Sequence, residues 1–183
     1  IRVLDQVTST NDVIEQMAAE NANEGLVVFA ESQTKGRGRL GRRWSSPSGK
    51  GVWFSILLYP NLHPTEITQL TAATATALTR AIANETGLQA EIKWPNDLLL
   101  DGKKVAGILT ELQAELDQVH HVIIGIGIDV QQSPSDFPSE LRKSATSLKM
   151  ALGHPVDRPS LATSLLRELD HDYARILDRE FKE

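Results

Sequence analysis

Between residues 97 and 113 the chain reads DLLLDGKKVAGILTELQ, with Asp101-Gly102 as a two-residue turn between apolar arms. Asp-Gly tolerates the positive φ that a tight hairpin requires, so this stretch is committed to two adjacent antiparallel strands. Further strands are needed to cover the edges of that hairpin. GLVVFAES (25–32), VWFSILLY (52–59) and HVIIGIGIDV (121–130) are β-branched apolar runs, and AEIKW (90–94) is a short strand stopped by Pro95. Helical spacing appears three times. STNDVIEQMAAENA (9–22) places Val13, Ile14, Met17 and Ala18 on one face, with Ser9 or Thr10 as N-cap. From Pro64 to Thr86, Ile67, Leu70, Thr74, Leu78 and Ile82 recur on one face and Gly87 ends the run. Residues 158–180 align Leu161, Leu165, Leu169, Tyr173, Ile176 and Leu177. Residues 131–146, rich in Ser and Pro, read as a loop. The expected class is α+β: a mixed, largely antiparallel sheet with helices packed on it.

The chain has 183 residues, enough for one core without disulfide staples, and no cysteine. Thiolate catalysis is thereby excluded, and the composition reads as cytoplasmic. No apolar run approaches the ~18 residues of a membrane span. The formal net charge is −5, but it is unevenly spread. No acidic residue lies between Glu31 and Glu66, and that interval carries six basic ones, leaving 13 basic against 24 acidic elsewhere. A local cation cluster on an acidic chain suits a small anion better than a nucleic-acid duplex.

The cluster sits in TKGRGRLGRRWSSPSGKG (34–51), where Lys35, Arg37, Arg39, Arg42, Arg43 and Lys50 alternate with five glycines. GRGRLG matches G-x-G-x-x-G, yet no helix start follows, and the Walker A pattern is not met. The remaining reading is a loop whose backbone approaches an anion closely while arginines fork onto its oxygens. In IKWPNDLLLDGKKVAGILTE (92–111), Lys93, Asn96 and Asp97 surround a strand-breaking proline. Such a trio holds a phosphate and its Mg²⁺, or simply caps its own turn. Lys104 alone reads as a solvent-facing lysine, and Ser9, Thr10 and Asn11 alone as a helix cap. Gly125 and Gly127 within a strand mark a bulge or a close approach of ligand. The five histidines form no metal motif, and no Ser/His/Asp set has motif support. Chemistry here must rest on positioning and electrostatics.

In order, STN, ESQTKGRGRLGRRW, KWPNDLLLDGKKVAGIL and IGIGI resemble the catalytic domain of the biotin protein ligases, over most of residues 7–130. The resemblance implies a fold similar to the class II aminoacyl-tRNA synthetase/biotin ligase catalytic fold. It also implies a two-step reaction: biotin and Mg-ATP form biotinyl-5′-AMP, and biotin then passes to a lysine of a biotin carboxyl carrier protein, the acetyl-CoA carboxylase subunit. By the same resemblance, Ser9, Thr10, Asn11 and Gln33 meet the ureido ring. Arg37, Gly38 and Arg39 close over the biotin carboxylate and α-phosphate. Arg42 and Trp44 lie on the nucleotide side. Lys104 meets the reacting oxygens. Lys93, Asn96 and Asp97 hold the triphosphate, with Asp97 on Mg²⁺, and Gly107, Gly125 and Gly127 admit the ligand to the strand backbones. The loop is expected to be disordered when empty and to order around its ligand.

Two departures qualify this. Asp129 stands where the family more often has Asn, and the chain stops at Glu183, where members usually continue into a small β-barrel. Residues 1–183 are thus expected to form one catalytic domain, with neither an N-terminal winged helix nor that barrel, and no DNA binding. Edge strands leave a homodimer open. A lipoate–protein ligase-like enzyme and a non-catalytic biotin- or nucleotide-binding module remain alternatives. So does a nucleic-acid-binding module, although only Trp44 and Trp53 interleave the cations.

Overall fold

The computed structural model describes residues 1–116 and 118–178. In chain order the elements are β1 (Arg2–Val7), α1 (Thr10–Ala19), β2 (Val27–Gln33), β3 (Gly51–Leu58), α2 (Ile67–Thr86), β4 (Glu91–Lys93), β5 (Asp97–Leu100), β6 (Lys103–Glu115), β7 (Gln118–Asp129), α3 (Leu148–Leu152) and α4 (Arg158–Leu177). The strands join in one sheet, ordered β1-β2-β3-β7-β6-β5-β4. β1 and β2 are parallel, connected through α1, and every other pair is antiparallel. The expected mixed, largely antiparallel sheet is therefore present. At the β5–β6 turn Asp101 and Gly102 adopt φ of 49° and 73°, the two positive values that an Asp-Gly hairpin supplies. α2 ends on Gly87 at φ 74°, whose N–H closes on Ala83 O.

The faces of the sheet follow from strand alternation. Val52, Phe54, Ile56 and Leu58 of β3 and Val122, Ile124, Ile126 and Ile128 of β7 point to a core shared with α2 and α4. The opposite face carries Leu57 and Ile123, packed with Val28 against Ile14 of α1. Burying each of these side chains fully is worth about 1.5–3 kcal/mol, so both faces are strongly specified. α1 has only ten residues. It covers one end of its face and leaves the rest of that face for the segment between β2 and β3.

Several local expectations are corrected. β1 has no apolar run, and its burial is low along its length. It is a strand because β2 offers an edge, which its own sequence does not advertise. Ser9 is the α1 N-cap, but its side chain makes no capping bond and is buried at 3% exposure. Asp12, in the first turn, accepts from Thr8 Oγ1 at 3.2 Å and from Arg37. α4 is capped by Asp157, which accepts from Ser160 N at 3.0 Å. Leu177 is 47% exposed and leaves the packed stripe. The expected last two residues of that helix, 179 and 180, lie outside the described residues. α3 is only five residues long, too short for a helical apolar period to mark it in the sequence. Among the described residues no helix is long and apolar enough to cross a membrane.

Candidate active site

Register places small and polar residues in one row on the open face. Trp53 pairs with Gly127, Ser55 with Gly125 and Gly51 with Asp129 across β3 and β7. Gly107 and Leu109 of β6 sit opposite Gly127 and Gly125. Each glycine is required by a close neighbour. A Cβ on Gly125 would overlap the Asn11 side chain, and one on Gly127 would lie 2.6 Å from the Trp44 indole. A Cβ on Gly107 would lie 2.9 Å from Trp44 and 3.2 Å from Lys104 Cε. The glycines expected to admit ligand thus first admit Asn11 and Trp44, which form the walls of a cavity.

The glycine-arginine segment is laid out as two paired limbs. Its two limbs are laddered by Gln33 N–Ser46 O at 3.2 Å, Trp44 N–Gly36 O at 2.9 Å and Gly38 N–Arg42 O at 2.7 Å. Leu40 at φ 58° and Gly41 at φ 72° form the tip. The limbs carry Trp44 down over β6 and β7, and its Nε1 is buried without a protein partner.

A narrow slot and a wider trough meet beneath this loop. Ser9, Thr10, Asn11, Gln33, Arg37, Gly107, Gly125 and Gly127 line the slot. The trough, about 460 Å³, is lined by Arg42, Lys93, Asp97 and Asp129 among others. Gly38, Arg39, Trp44, Asn96 and Lys104 line both. Every site residue expected from the sequence therefore borders one cavity or the other. The slot's polar end is a connected set. Ser55 Oγ, fully buried, donates to Asn11 Oδ1 and lies 2.6 Å from Thr10 Oγ1. Gln33 Oε1 accepts from Thr10 N at 2.8 Å, and Gln33 Nε2 donates to Ser46 Oγ at 2.8 Å. Such a set presents neutral donors and acceptors in fixed positions.

Lys104 reaches the junction because of a β-bulge. β5 and β6 pair Leu98 with Ala106 but Leu99 with Lys104, so Val105 is an extra residue. Strict alternation would put Lys104 on the face opposite Gly107; the bulge returns it to the same face. Its Nζ is 2.6 Å from Asp97 Oδ1 and 5.2 Å from the Trp44 ring centroid. It is not the solvent-facing lysine that its neighbours in sequence suggest. Asn96 is held by donating to Ile108 O at 3.0 Å and accepts from Arg39 at 3.1 Å. The trio near Pro95 is therefore partly structural: Asn96 has both its polar ends engaged, while Asp97 orients Lys104. Of the three, Asp97 alone is an oxyanion able to ligate Mg²⁺. No group of three or more His, Cys, Asp or Glu side chains with metal-ligand placement occurs among the described residues.

Arg37 has unexpected partners. Its guanidinium donates to Asp12 and, at 3.1 Å, to both oxygens of Glu111. Partial burial pulls its pKa down, but the hydrogen bonds and charges of the two carboxylates outweigh this and leave it raised. It borders the slot, yet its charge is committed to these acids, so Arg39 and Lys104 are the cations turned to the junction. Glu111 and Asp12 escaped the sequence reading. Glu111 lies four residues from Gly107 along a strand, and alternation puts both on one face, which is the signal that finds it. Asp129, at the end of β7, is 6% exposed and accepts from Gln132 Nε2. Burial pushes its carboxyl well above the usual range, and the positive charge of Lys104 offsets only part of that.

Residues 3–129 match the biotin/lipoate A/B protein ligase family. The chain is 45% identical over 177 residues to the bifunctional ligase/repressor BirA of Bacillus subtilis, covering 97% of this chain and 54% of that protein. It is 36% identical over 185 residues to the biotin–[acetyl-CoA-carboxylase] ligase of Mycobacterium tuberculosis, covering 96% of this chain and 63% of that one. In three dimensions it superposes with a TM-score of 0.84 on the biotin protein ligase of Aquifex aeolicus in complex with biotin and ATP. There the identity is 34%, with 98% of this chain and 72% of that chain covered. The chain thus spans roughly half to two thirds of the length of these two curated relatives.

Proposed function

The chain belongs to the biotin/lipoate A/B protein ligase family, and on that footing we propose that it activates biotin with Mg-ATP and transfers it to a lysine of a biotin carboxyl carrier protein. One observation carries the reading: a neutral, hydrogen-bonding slot and a cationic trough meet at Lys104, Arg39 and Trp44. Two anions, a carboxylate and a triphosphate, must meet in such a reaction, and fixed cations at the meeting point offset their repulsion.

The slot's Thr10, Asn11 and Gln33 hold the ureido head, and the acid end reaches Lys104. A carboxylate oxygen attacks the α-phosphorus in line, the new C–O–P bond forms, and the bond to the β-phosphate oxygen breaks, releasing pyrophosphate. Lys104 and Arg39 stabilise charge on the phosphoryl oxygens, and Asp97 keeps the Lys104 ammonium in place. In the second step the acceptor lysine's amine attacks the acyl carbon, the C–O bond to phosphate breaks, AMP leaves, and the amine's proton is lost to solvent. Mg²⁺ arriving with ATP would sit by Asp97 and neutralise phosphate charge, in keeping with its preference for few carboxylates plus phosphate oxygens. The word repressor in the B. subtilis protein's name describes that longer protein, and DNA binding is not assigned to residues 1–183.

Biotin-dependent ATP–pyrophosphate exchange tests this, with lipoate as the paired substrate because the family spans both ligases. Exchange with biotin, lost without Mg²⁺, is the expected result. Exchange with lipoate alone would replace the substrate, and exchange with neither would refute the activity.

A further inference from the structure

Neither Asp12 nor Glu111 borders the slot or the trough. Both nevertheless grip the same loop arginine. Arg37 spans from α1, through Asp12, to β6, through Glu111. We propose that Asp12 and Glu111 are positioning residues that latch the glycine-arginine loop shut over the slot, and that Glu111 couples this latch to the head-group end of the slot through Asn11.

Three observations support the latch. First, Asp12 is itself fixed: Thr8 Oγ1 donates to its second oxygen at 3.2 Å, and Lys35 N donates to Thr8 O at 2.8 Å. The loop's first limb is therefore tied to the α1 end of the molecule by backbone as well as by charge. Second, Glu111 Oε2 accepts from Asn11 Nδ2 at 2.7 Å, while Asn11 Oδ1 accepts from buried Ser55. Any ligand group that reorients the Asn11 amide changes the acceptor available to Arg37. Third, the loop's other limb returns to the same polar set, since Ser46 accepts from Gln33, whose carbonyl takes Thr10 N. The second limb is thus anchored on Gln33, which lines the slot. When Arg37 leaves, two carboxylates that shared one guanidinium are left facing each other, which disfavours the open state. The glycines allow the loop to open, and the acids decide how often it does.

The coupling to a ligand rests on the function proposed above; the latch itself rests on the contacts of Arg37 with Asp12 and Glu111. The test uses residues 1–183 as wild type, Asp12→Asn, Glu111→Gln and Asp12→Glu. Limited trypsin digestion, with fragments mapped by mass, reports loop opening through cleavage after Arg39, Arg42 and Arg43. In the empty protein Asp12→Asn and Glu111→Gln should be cut there about fivefold faster, the scale of one exposed charge pair, and Asp12→Glu should restore most of the protection. Saturating biotin and ATP should protect wild type more than Glu111→Gln. In pyrophosphate exchange, KM for biotin should rise about fivefold for Asp12→Asn with a smaller fall in kcat, because closure is impaired and the junction is not. Circular dichroism checks folding; if Glu111→Gln proves unstable, Asp12→Asn, which leaves Asn11 and Ser55 untouched, carries the test. Loop cleavage equal to wild type in folded Asp12→Asn overturns the latch. Faster cleavage of Asp12→Asn in a protein that shows no exchange would sustain the latch and refute the ligase reading instead.

Discussion

Lys104 and Asp129 both border the trough, and each is set there by its neighbours. Lys104 stands between Asp97 at 2.6 Å and the Trp44 ring, a cation held rigid where phosphoryl charge would develop. Lys104→Met should lower biotin-dependent exchange by about 10²–10³-fold, the usual loss on removing one preorganised charge stabiliser. The melting temperature of this variant should change little, which a thermal scan alongside the kinetics would establish. Asp129 is an acid whose folded-state pKa is raised by burial. The sign follows from linkage: the folded protein holds this proton more tightly than the unfolded chain does. The associated stability is full below the ordinary carboxylate range and is lost as pH rises through the raised folded value. Asp129→Asn has no proton to lose. Its melting temperature relative to wild type should therefore climb as pH rises from the ordinary carboxylate range through the raised folded value and then level off, and a pH-independent difference would refute the assignment.

At the scale of elements, paired strands β3, β7 and β6 supply the site's floor through their register. Ser55, Gly125 and Leu109 lie side by side, and the space above Gly125 belongs to Asn11. Gly125→Ala should push Asn11 aside and break its bonds to Ser55 and Glu111, weakening biotin binding about tenfold or more. The fold should survive, because the displaced group is the end of a side chain rather than backbone. Isothermal titration with biotin, compared with a thermal scan, separates the two effects. The α1 helix shows a related economy of design: the same turn that buries Ile14 also presents Thr10 and Asn11 to the slot.

For the whole molecule, the site depends on a sheet covered on one face and half covered on the other. The covered face is closed by α2 and α4, which are joined by charge as well as apolar contact. Arg80 reaches Glu168 at 2.6 Å and the buried Asp172 at 2.9 Å. Arg80→Met leaves the Asp172 carboxylate with weaker partners, Arg175 at 3.7 Å and His171 at 3.3 Å. The expected loss is about 3 kcal/mol, seen as a fall of roughly 6–12 °C in melting temperature. Since α2 and α4 lie behind the sheet, pyrophosphate exchange below the transition should be nearly unaffected. A large loss of exchange without destabilisation would show that the back layer reaches the site.

Sequence by itself determined the class of the fold and the chemical character of the site. The Asp101-Gly102 turn, the β-branched runs and the two long amphipathic helices are local signals, set by φ preference and by side-chain period. The loop's cations and the polar Ser9-Thr10-Asn11 run are equally visible in the chain. What only the tertiary structure decided are matters of register and contact. β1 exists because β2 has a free edge to pair with. Lys104 faces the junction because Val105 is bulged out of the β5–β6 pairing, and a one-residue slip inverts every side chain beyond it. Arg37 binds two acids, one 25 and one 74 residues away in sequence, and no local pattern specifies such a pairing. Local propensity acts over a few residues, whereas the partners of a buried or bridging charge are chosen by packing that brings distant strands together.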